Sequence, residues 1–224
     1  MKETFGEILY KGAQQFNISL TPEKIGLFET YLRELKRWNS KINITAINDE
    51  FEIAIKHFVD SISPLNYMPS YASVLDIGSG GGFPGIPLKI ANPSLSITLL
   101  DSTLKKVNFQ KHITRLLKLD RITAVHGRAE QKELLKRLDS PFDVVISRAF
   151  SSLGRLLVIG EPYLKEGGLL IAMRGREAKR ELTRNEETLP PLLLRVVDIV
   201  EFYLPYLNEK RSIIIFAKGS VESS

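Results

Sequence analysis

Apolar residues recur at helical spacing through the first third of the chain, then give way to short uninterrupted apolar runs. Between Lys2 and Phe16 they fall at Phe5, Ile8, Leu9, Ala13 and Phe16, which predicts an amphipathic helix. Thr21-Pro22-Glu23 predicts the start of a second: a capping hydroxyl, a proline suited to the first turn and an acid favourable to the helix dipole. Ile25, Phe28, Leu32 and Leu35 line one face of it as far as about Trp38. A third helix is expected from Glu50 to Ser63, closed by Pro64.

After residue 72 the rhythm changes. Apolar runs at Ser73–Ile77, Ser96–Asp101, Arg121–His126, Asp143–Ser147 and Leu169–Arg174 predict strands covered on both faces. Helical stretches at Ile86–Ala91, Leu104–Lys118, Gln131–Leu138 and Leu153–Tyr163 fill the gaps. Such alternation implies an α/β fold with right-handed crossovers and a mostly parallel, doubly wound sheet. Leu194–Leu204 and Ser212–Lys218 are two further strand-like runs joined only by the loop 205–211, so they pair antiparallel as a closing hairpin. The chain therefore divides into an N-terminal helical segment (1–70) packed on a core (71–219), with a short polar tail (220–224) expected to be flexible.

The chain has 224 residues, no cysteine, three histidines and a formal net charge of +5. Without cysteine there are no disulfides, no thiolate metal sites and no thiol nucleophile. Three scattered histidines make no metal site, and none is expected. The basic surplus fits a nucleic-acid partner, and equally an ordinary basic protein. No apolar run approaches membrane-spanning length and the N-terminus is not signal-like, so a cytoplasmic monomer with no membrane partner is expected.

The sharpest motif follows the first predicted strand: Val74-Leu75-Asp76-Ile77-Gly78-Ser79-Gly80-Gly81-Gly82-Phe83-Pro84-Gly85. Glycines at such a turn let backbone and ligand approach closely. Gly80-x-Gly82-x-x-Gly85 formally matches a dinucleotide fingerprint but begins late, and no Gly-Lys-Ser/Thr follows for a phosphate loop. Asp76-x-Gly78-x-Gly80 begins at the strand end and resembles the acid–glycine motif of S-adenosylmethionine (SAM)-dependent methyltransferases. The antiparallel finish resembles their variant of the Rossmann-like sheet. The resemblance implies that Asp76 sits near the methionyl ammonium and that Gly78 and Gly80 pass under the methionine and ribose. Asp101 closes the second predicted strand, where an acid can accept ribose hydroxyls or, alternatively, cap the next helix. After the third strand, Ala129-Glu130 occupies the loop that lies beside adenine in methyltransferases, although Glu130 could equally start a helix.

Ser147 and Arg148 end the fourth predicted strand, where ligands of such sheets bind. The Asn/Asp-Pro-Pro-aromatic motif of exocyclic-amine methylation is absent, and cytosine C5 chemistry lacks its cysteine. A target with a lone pair already available remains, such as guanine N7. Attack by that nitrogen needs no general base, only alignment and exclusion of water. Arg148 could hold the cofactor carboxylate or the guanine O6/N7 edge, or form a surface salt bridge.

At this point a family resemblance covers the chain from the N-terminal helices to the final strand. Trp38-Asn39-Ser40-Lys41-Ile42-Asn43-Ile44-Thr45-Ala46, His57-Phe58-Val59-Asp60-Ser61, the glycine loop extended through Ile86-Pro87, and Ser147-Arg148-Ala149 carry it. Together they resemble the bacterial small-subunit ribosomal RNA guanine-N7 methyltransferases, once called glucose-inhibited division protein B. The resemblance implies methyl transfer from SAM to N7 of a guanine in 16S rRNA, in or near the small ribosomal subunit. It also implies cofactor contacts at Gly78, Phe83, Ala129, Glu130 and Arg148. Asp101 and Phe83 depart mildly from the family pattern, where Glu and Leu occur, and both can fill the same roles.

Asn39 and Asn43, four apart, could contact the base or shape the entrance, or cap a helix and tie down a loop. His57 and Asp60 lie one turn apart and read as a hydrogen-bonded pair or a substrate contact rather than as acid–base groups. Arg174 and Arg176 leave the fifth strand at the ligand edge and are candidates for RNA phosphates. Lys105, Lys106, Lys111, Arg115 and Lys118 read as a solvated helix face. The site is thus expected to work without an acid–base residue, with Arg148, Ser147 and Asn39 as positioning groups. Two rival readings stay open: a nucleotide-dependent oxidoreductase, and a non-catalytic RNA-binding protein that retains a cofactor fold.

Overall fold

The computed structural model describes residues 3–138, 141–148 and 150–219; the tail 220–224, Met1, Lys2 and the Ala149 of the strand-four motif lie outside the described residues. The first helix, α1 (Phe5–Gln14), is opened by Thr4 and Glu7, whose side chains reciprocally satisfy each other's backbone N–H groups. The second, α2 (Pro22–Ile42), starts at the Thr21 cap and buries Phe28, Tyr31, Leu32 and Leu35. It runs one turn beyond the expected end at Trp38 and stops at Asn43, which adopts a left-handed φ of 50°.

The expected third helix is not one regular helix. It comprises α3 (Glu50–Glu52), a π-helical stretch (Ile53–Val59), α4 (Asp60–Ile62) and a 3-10 turn (Ser63–Tyr67). Pro64 does not close the run, because a proline at the start of a 3-10 turn gives up no needed N–H. In the π stretch the Asp60 N–H reaches back to Ile55 O rather than to Lys56 O, its α-helical partner. That register shift bears directly on the site below.

From residue 73 the elements alternate: β1 (Ser73–Ile77), α5 (Gly85–Ala91), β2 (Ser96–Asp101), α6 (Leu104–Leu116), β3 (Ile122–His126), α7 (Lys132–Arg137) and β4 (Phe142–Arg148). Then follow α8 (Leu153–Gly160), β5 (Leu164–Arg174), α9 (Ala178–Thr183), β6 (Leu194–Tyr203) and β7 (Lys210–Lys218). They build a seven-stranded sheet in the order β3-β2-β1-β4-β5-β7-β6. β7 is inserted between β5 and β6 and runs antiparallel to both, so it alone opposes the other six strands. Each face carries its own core. Val74, Leu99, Ile146 and Ile213 face a cluster shared with α5, α6 and the N-terminal helices, including Phe28, Tyr31 and Phe58. Leu75, Val145, Leu170 and Ile214 face α7, α8 and α9. Among the described residues no helix is long and apolar enough to cross a membrane.

Candidate active site

The carboxyl ends of β1, β2 and β4 and the glycine loop frame a cleft of about 390 Å³, within the range of small-molecule sites. Gly78 opens the loop with φ +75°, and a Cβ there would point at the Phe150 ring 3.5 Å away. Both glycine freedom and the missing side chain are used at this position. Beneath the loop lies Asp76, fully buried, whose Oδ2 accepts from Gly85 N at 2.8 Å. A Cβ on Gly85 would stand 2.9 Å from that oxygen and 2.3 Å from Leu99. The other oxygen, Oδ1, is buried and has no hydrogen-bond partner. Burial pushes the Asp76 carboxyl up to about 7, against the bond from Gly85.

Asp101 lines the cleft, as expected, but its carboxylate is also structural. Oδ2 accepts from Gly80 N at 2.8 Å and Oδ1 from Thr103 N at 2.7 Å. It therefore tethers the glycine loop and the turn leading into α6, whose N-cap is Thr103. Gly78, Ala129 and Glu130 line the same cleft, with Glu130 ion-paired to Arg155 at 2.5 Å. Gln110, unmarked in the sequence reading, is fully buried under the loop and donates to Ser79 Oγ and Gly80 O at 2.8 and 2.7 Å.

Phe83 turns its ring toward the N-terminal helices. Its side chain is buried away from the cleft, stacked on Tyr31 (5.4 Å between centroids) and on His57 (4.7 Å). The aromatic stack is a plug between the glycine loop and the N-terminal helices, and the Tyr31 hydroxyl donates to Gly81 O across the same seam. The loop residues therefore owe their place to α2, a contribution that β-strand motifs alone do not disclose.

Arg148 ends β4 between this cleft and a second cavity, lining both. Its guanidinium lies 5.0 Å over the Phe83 ring. Nη1 donates to Lys56 O at 2.7 Å, the carbonyl that the π-helical register passes over. Nη2 donates to His57 Nδ1 at 3.1 Å. Because Nδ1 accepts, the proton sits on Nε2 and is donated to Thr45 Oγ1 at 2.7 Å. Burial, and then the Arg148 charge, push the imidazole down to about 3, so His57 is neutral and fully bonded. His57 and Asp60 do not form the pair anticipated from their spacing: both turn to Arg148, with Asp60 Oδ2 at 3.6 Å from its Nη1 and also 3.6 Å from Arg211 Nε.

The remaining candidates separate. Ser147 is buried and donates to Ile77 O at 2.6 Å, so it props the end of β1 rather than meeting a ligand. Asn39 accepts from Ile44 N and Thr45 N and donates to Thr45 O and Asn48 Oδ1, at 2.6 to 3.0 Å. Its amide is consumed in pinning the loop 43–48, and the exposed Asn43 is the helix-ending residue of that loop. Arg174 lines the second cavity, whereas Arg176 is 82 % exposed beside Glu177. Among the described residues no group of three or more His, Asp or Glu side chains is placed to hold a metal ion.

The reversed penultimate strand, the glycine loop over a buried carboxylate and an acid at the next strand end define the fold of SAM-dependent methyltransferases. Solved structures share that fold. Methanococcus jannaschii fibrillarin, a pre-rRNA processing protein, superposes with a TM-score of 0.55 over 68% of this chain and 70% of its own, at 15% identity. Aeropyrum pernix fibrillarin, solved with natively bound S-adenosyl-L-methionine, gives 0.52 over 65% and 66%, at 16% identity. More narrowly, residues 24–213 match the family described as rRNA small subunit methyltransferase G, and the chain belongs to that family. The ribosomal RNA small subunit methyltransferase G of Geotalea uraniireducens is 42% identical over 97% of this chain and 99% of its own. That of Acetivibrio thermocellus is 40% identical over 95% and 88%. The family is SAM-dependent, and an oxidoreductase is not favoured. The residues fit this cofactor: the Asp101 carboxylate lines the cleft, the Asp76 carboxylate with one unbonded oxygen lies beneath the glycine loop, and Gly78 leaves the space a side chain would fill.

Proposed function

We propose that the protein methylates N7 of a guanine in the 16S rRNA of the small ribosomal subunit, working as a cytoplasmic monomer in which residues 71–219 bind SAM and residues 1–70 brace that core. The observation that carries this reading is Arg148, a part-buried cation shared by the cofactor cleft and a second cavity, whose neighbouring imidazole is bonded at both nitrogens. His57, the nearest imidazole, is held neutral with Nδ1 and Nε2 both bonded, so it neither takes nor delivers a proton. A nucleophile that arrives unprotonated suits such a site, and guanine N7 is one.

Asp76 and Asp101 would hold the cofactor from below and from the β2 end, with Ala129 and Glu130 along the third-strand loop. Once bound, the cofactor would supply an electrophilic methyl whose transfer to the N7 lone pair would leave the C–S electron pair on sulfur and the positive charge on the purine. Arg148 orients the junction and the Phe83 plug keeps water from behind it. Arg176, 82 % exposed, is the candidate for contact with RNA phosphates. Incubation with methyl-labelled SAM and small subunits lacking the modification tests the reading. Label mapped by mass spectrometry to a guanine N7 supports it; SAM binding with no label on RNA would sink it in favour of a non-catalytic RNA-binding role.

A further inference from the structure

We propose that the cavity on the far side of Arg148 receives the target base, and that Arg174 and Glu181 read its Watson–Crick edge as guanine. This rests on the methyltransferase reading above and names how that enzyme selects its base. The cavity encloses about 370 Å³. Met173, Ile213 and Phe202 give it an apolar lining with one aromatic ring on which a base can stack.

Three residues in its wall, Arg174, Glu181 and Ser212, have buried polar atoms without hydrogen-bond partners, and two of them are charged. Arg174 is only 8% exposed; Nη1 donates to Phe150 O at 2.6 Å, but Nε and Nη2 have no hydrogen-bond partner. Glu181 Oε2 stands 3.6 Å from Arg174 Nε, beyond hydrogen-bond length, and is likewise buried and unpartnered. Buried charged groups are normally saturated with hydrogen bonds. A donor and an acceptor left wanting side by side on one cavity wall call for a ligand that offers an acceptor beside donors.

Guanine offers that order: O6 accepts, and the neighbouring N1–H and N2–H groups donate. Arg174 is matched to O6, and a carboxylate takes N1–H and N2–H together. Adenine reverses the order, and uracil gives the carboxylate a single donor. The pairing also acts on the chemistry, since methylation at N7 leaves the purine cationic and a carboxylate on its opposite edge stabilises that charge. Glu181 sits on α9, the helix that the sequence pattern did not reveal.

The test uses the full-length protein and small subunits reconstituted with unmodified RNA carrying either guanosine or inosine at the target. Inosine keeps O6, N1–H and N7 but lacks the N2 amine. The wild type is expected to favour guanosine about tenfold in kcat/KM. Glu181→Gln keeps the shape but turns one acceptor into a donor facing that amine. It should lose about 10- to 100-fold on guanosine, accept both bases nearly equally, and bind SAM as the wild type does. A Glu181→Gln enzyme that keeps the wild-type preference for guanosine, whatever its rate, overturns the inference while leaving the methyltransferase reading intact. A wild type that transfers nothing to guanosine subunits overturns both.

Discussion

Arg148 is held by groups from two consecutive elements of the N-terminal segment: a carbonyl and an imidazole from the π-helical stretch, and the Asp60 carboxylate from α4. Burial pulls its guanidinium below the usual range, and Asp60 opposes that pull. A lysine cannot bond to Lys56 O and His57 and face Asp60 at once. Arg148→Lys should therefore lower kcat/KM by about 100-fold, the loss expected when a site's positioning slips. Arg148→Ala, which leaves Asp60 with Arg211 as its one cation among the described residues and frees Lys56 O, should cost about 2 kcal/mol in urea unfolding.

Asp76 and His57 pull the pH dependence of stability in opposite directions. Asp76 titrates at about 7 in the fold against an ordinary 3.8. Between those values the folded chain keeps a proton that the unfolded chain has lost, so this group's contribution to stability falls as pH rises. His57 titrates at about 3 against an ordinary 6.5, so over that span the unfolded chain holds the extra proton and stability rises with pH. In Asp76→Asn the first slope disappears. Its unfolding free energy relative to wild type should climb from pH 4.5 to 7, measured by urea titration. Calorimetry should show the wild type losing SAM affinity as pH drops below about 7, because the carboxyl must ionise to meet a cationic ammonium; Asp76→Asn should bind weakly and without that pH dependence.

At the scale of elements, the loop 43–48 links the first helices to the cofactor loop. Asn39 fixes its backbone, Ile44 packs against Gly81, and Thr45 Oγ1 accepts the hydrogen bond from His57 Nε2. Asn39→Ala should destabilise the protein by about 2–3 kcal/mol and weaken SAM binding, with N7 chemistry unchanged once the cofactor is saturating; denaturation and a KM-against-kcat comparison separate these. Strands such as β1 and β2 were legible to the residue because uninterrupted apolar runs have one reading in a sheet covered on both sides. The π-helical stretch was not, since its composition is that of an α-helix and the extra residue per turn is set by contacts with Arg148. α9 escaped because only Ala178 and Leu182 face inward among charged neighbours. The start of β5 escaped because Gly167 and Gly168 interrupt its apolar pattern. Residues of the cofactor cleft were legible through the glycine motif, whereas Tyr31, Gln110 and Glu181 act across the fold and leave no local spacing to find.

At the scale of the whole molecule, the N-terminal helices are not an appendage. Phe28, Tyr31 and Phe58 belong to the same core as Val74 and Ile146 of the sheet. A chain beginning at residue 71 would expose that face, and it should fail to give a cooperative unfolding transition by circular dichroism and should not bind SAM. The placement of β7 carries a further consequence, for synthesis. The strand that joins β5 to β6 is the last of the seven in chain order. Until it emerges from the ribosome, β5 keeps an open hydrogen-bonding edge and β6 has nothing to pair with. A nascent chain stalled before Lys210 is thus an unzipped garment, prone to capture by chaperones, and its release is the moment at which the Arg174 wall of the second cavity meets Ser212 and closes.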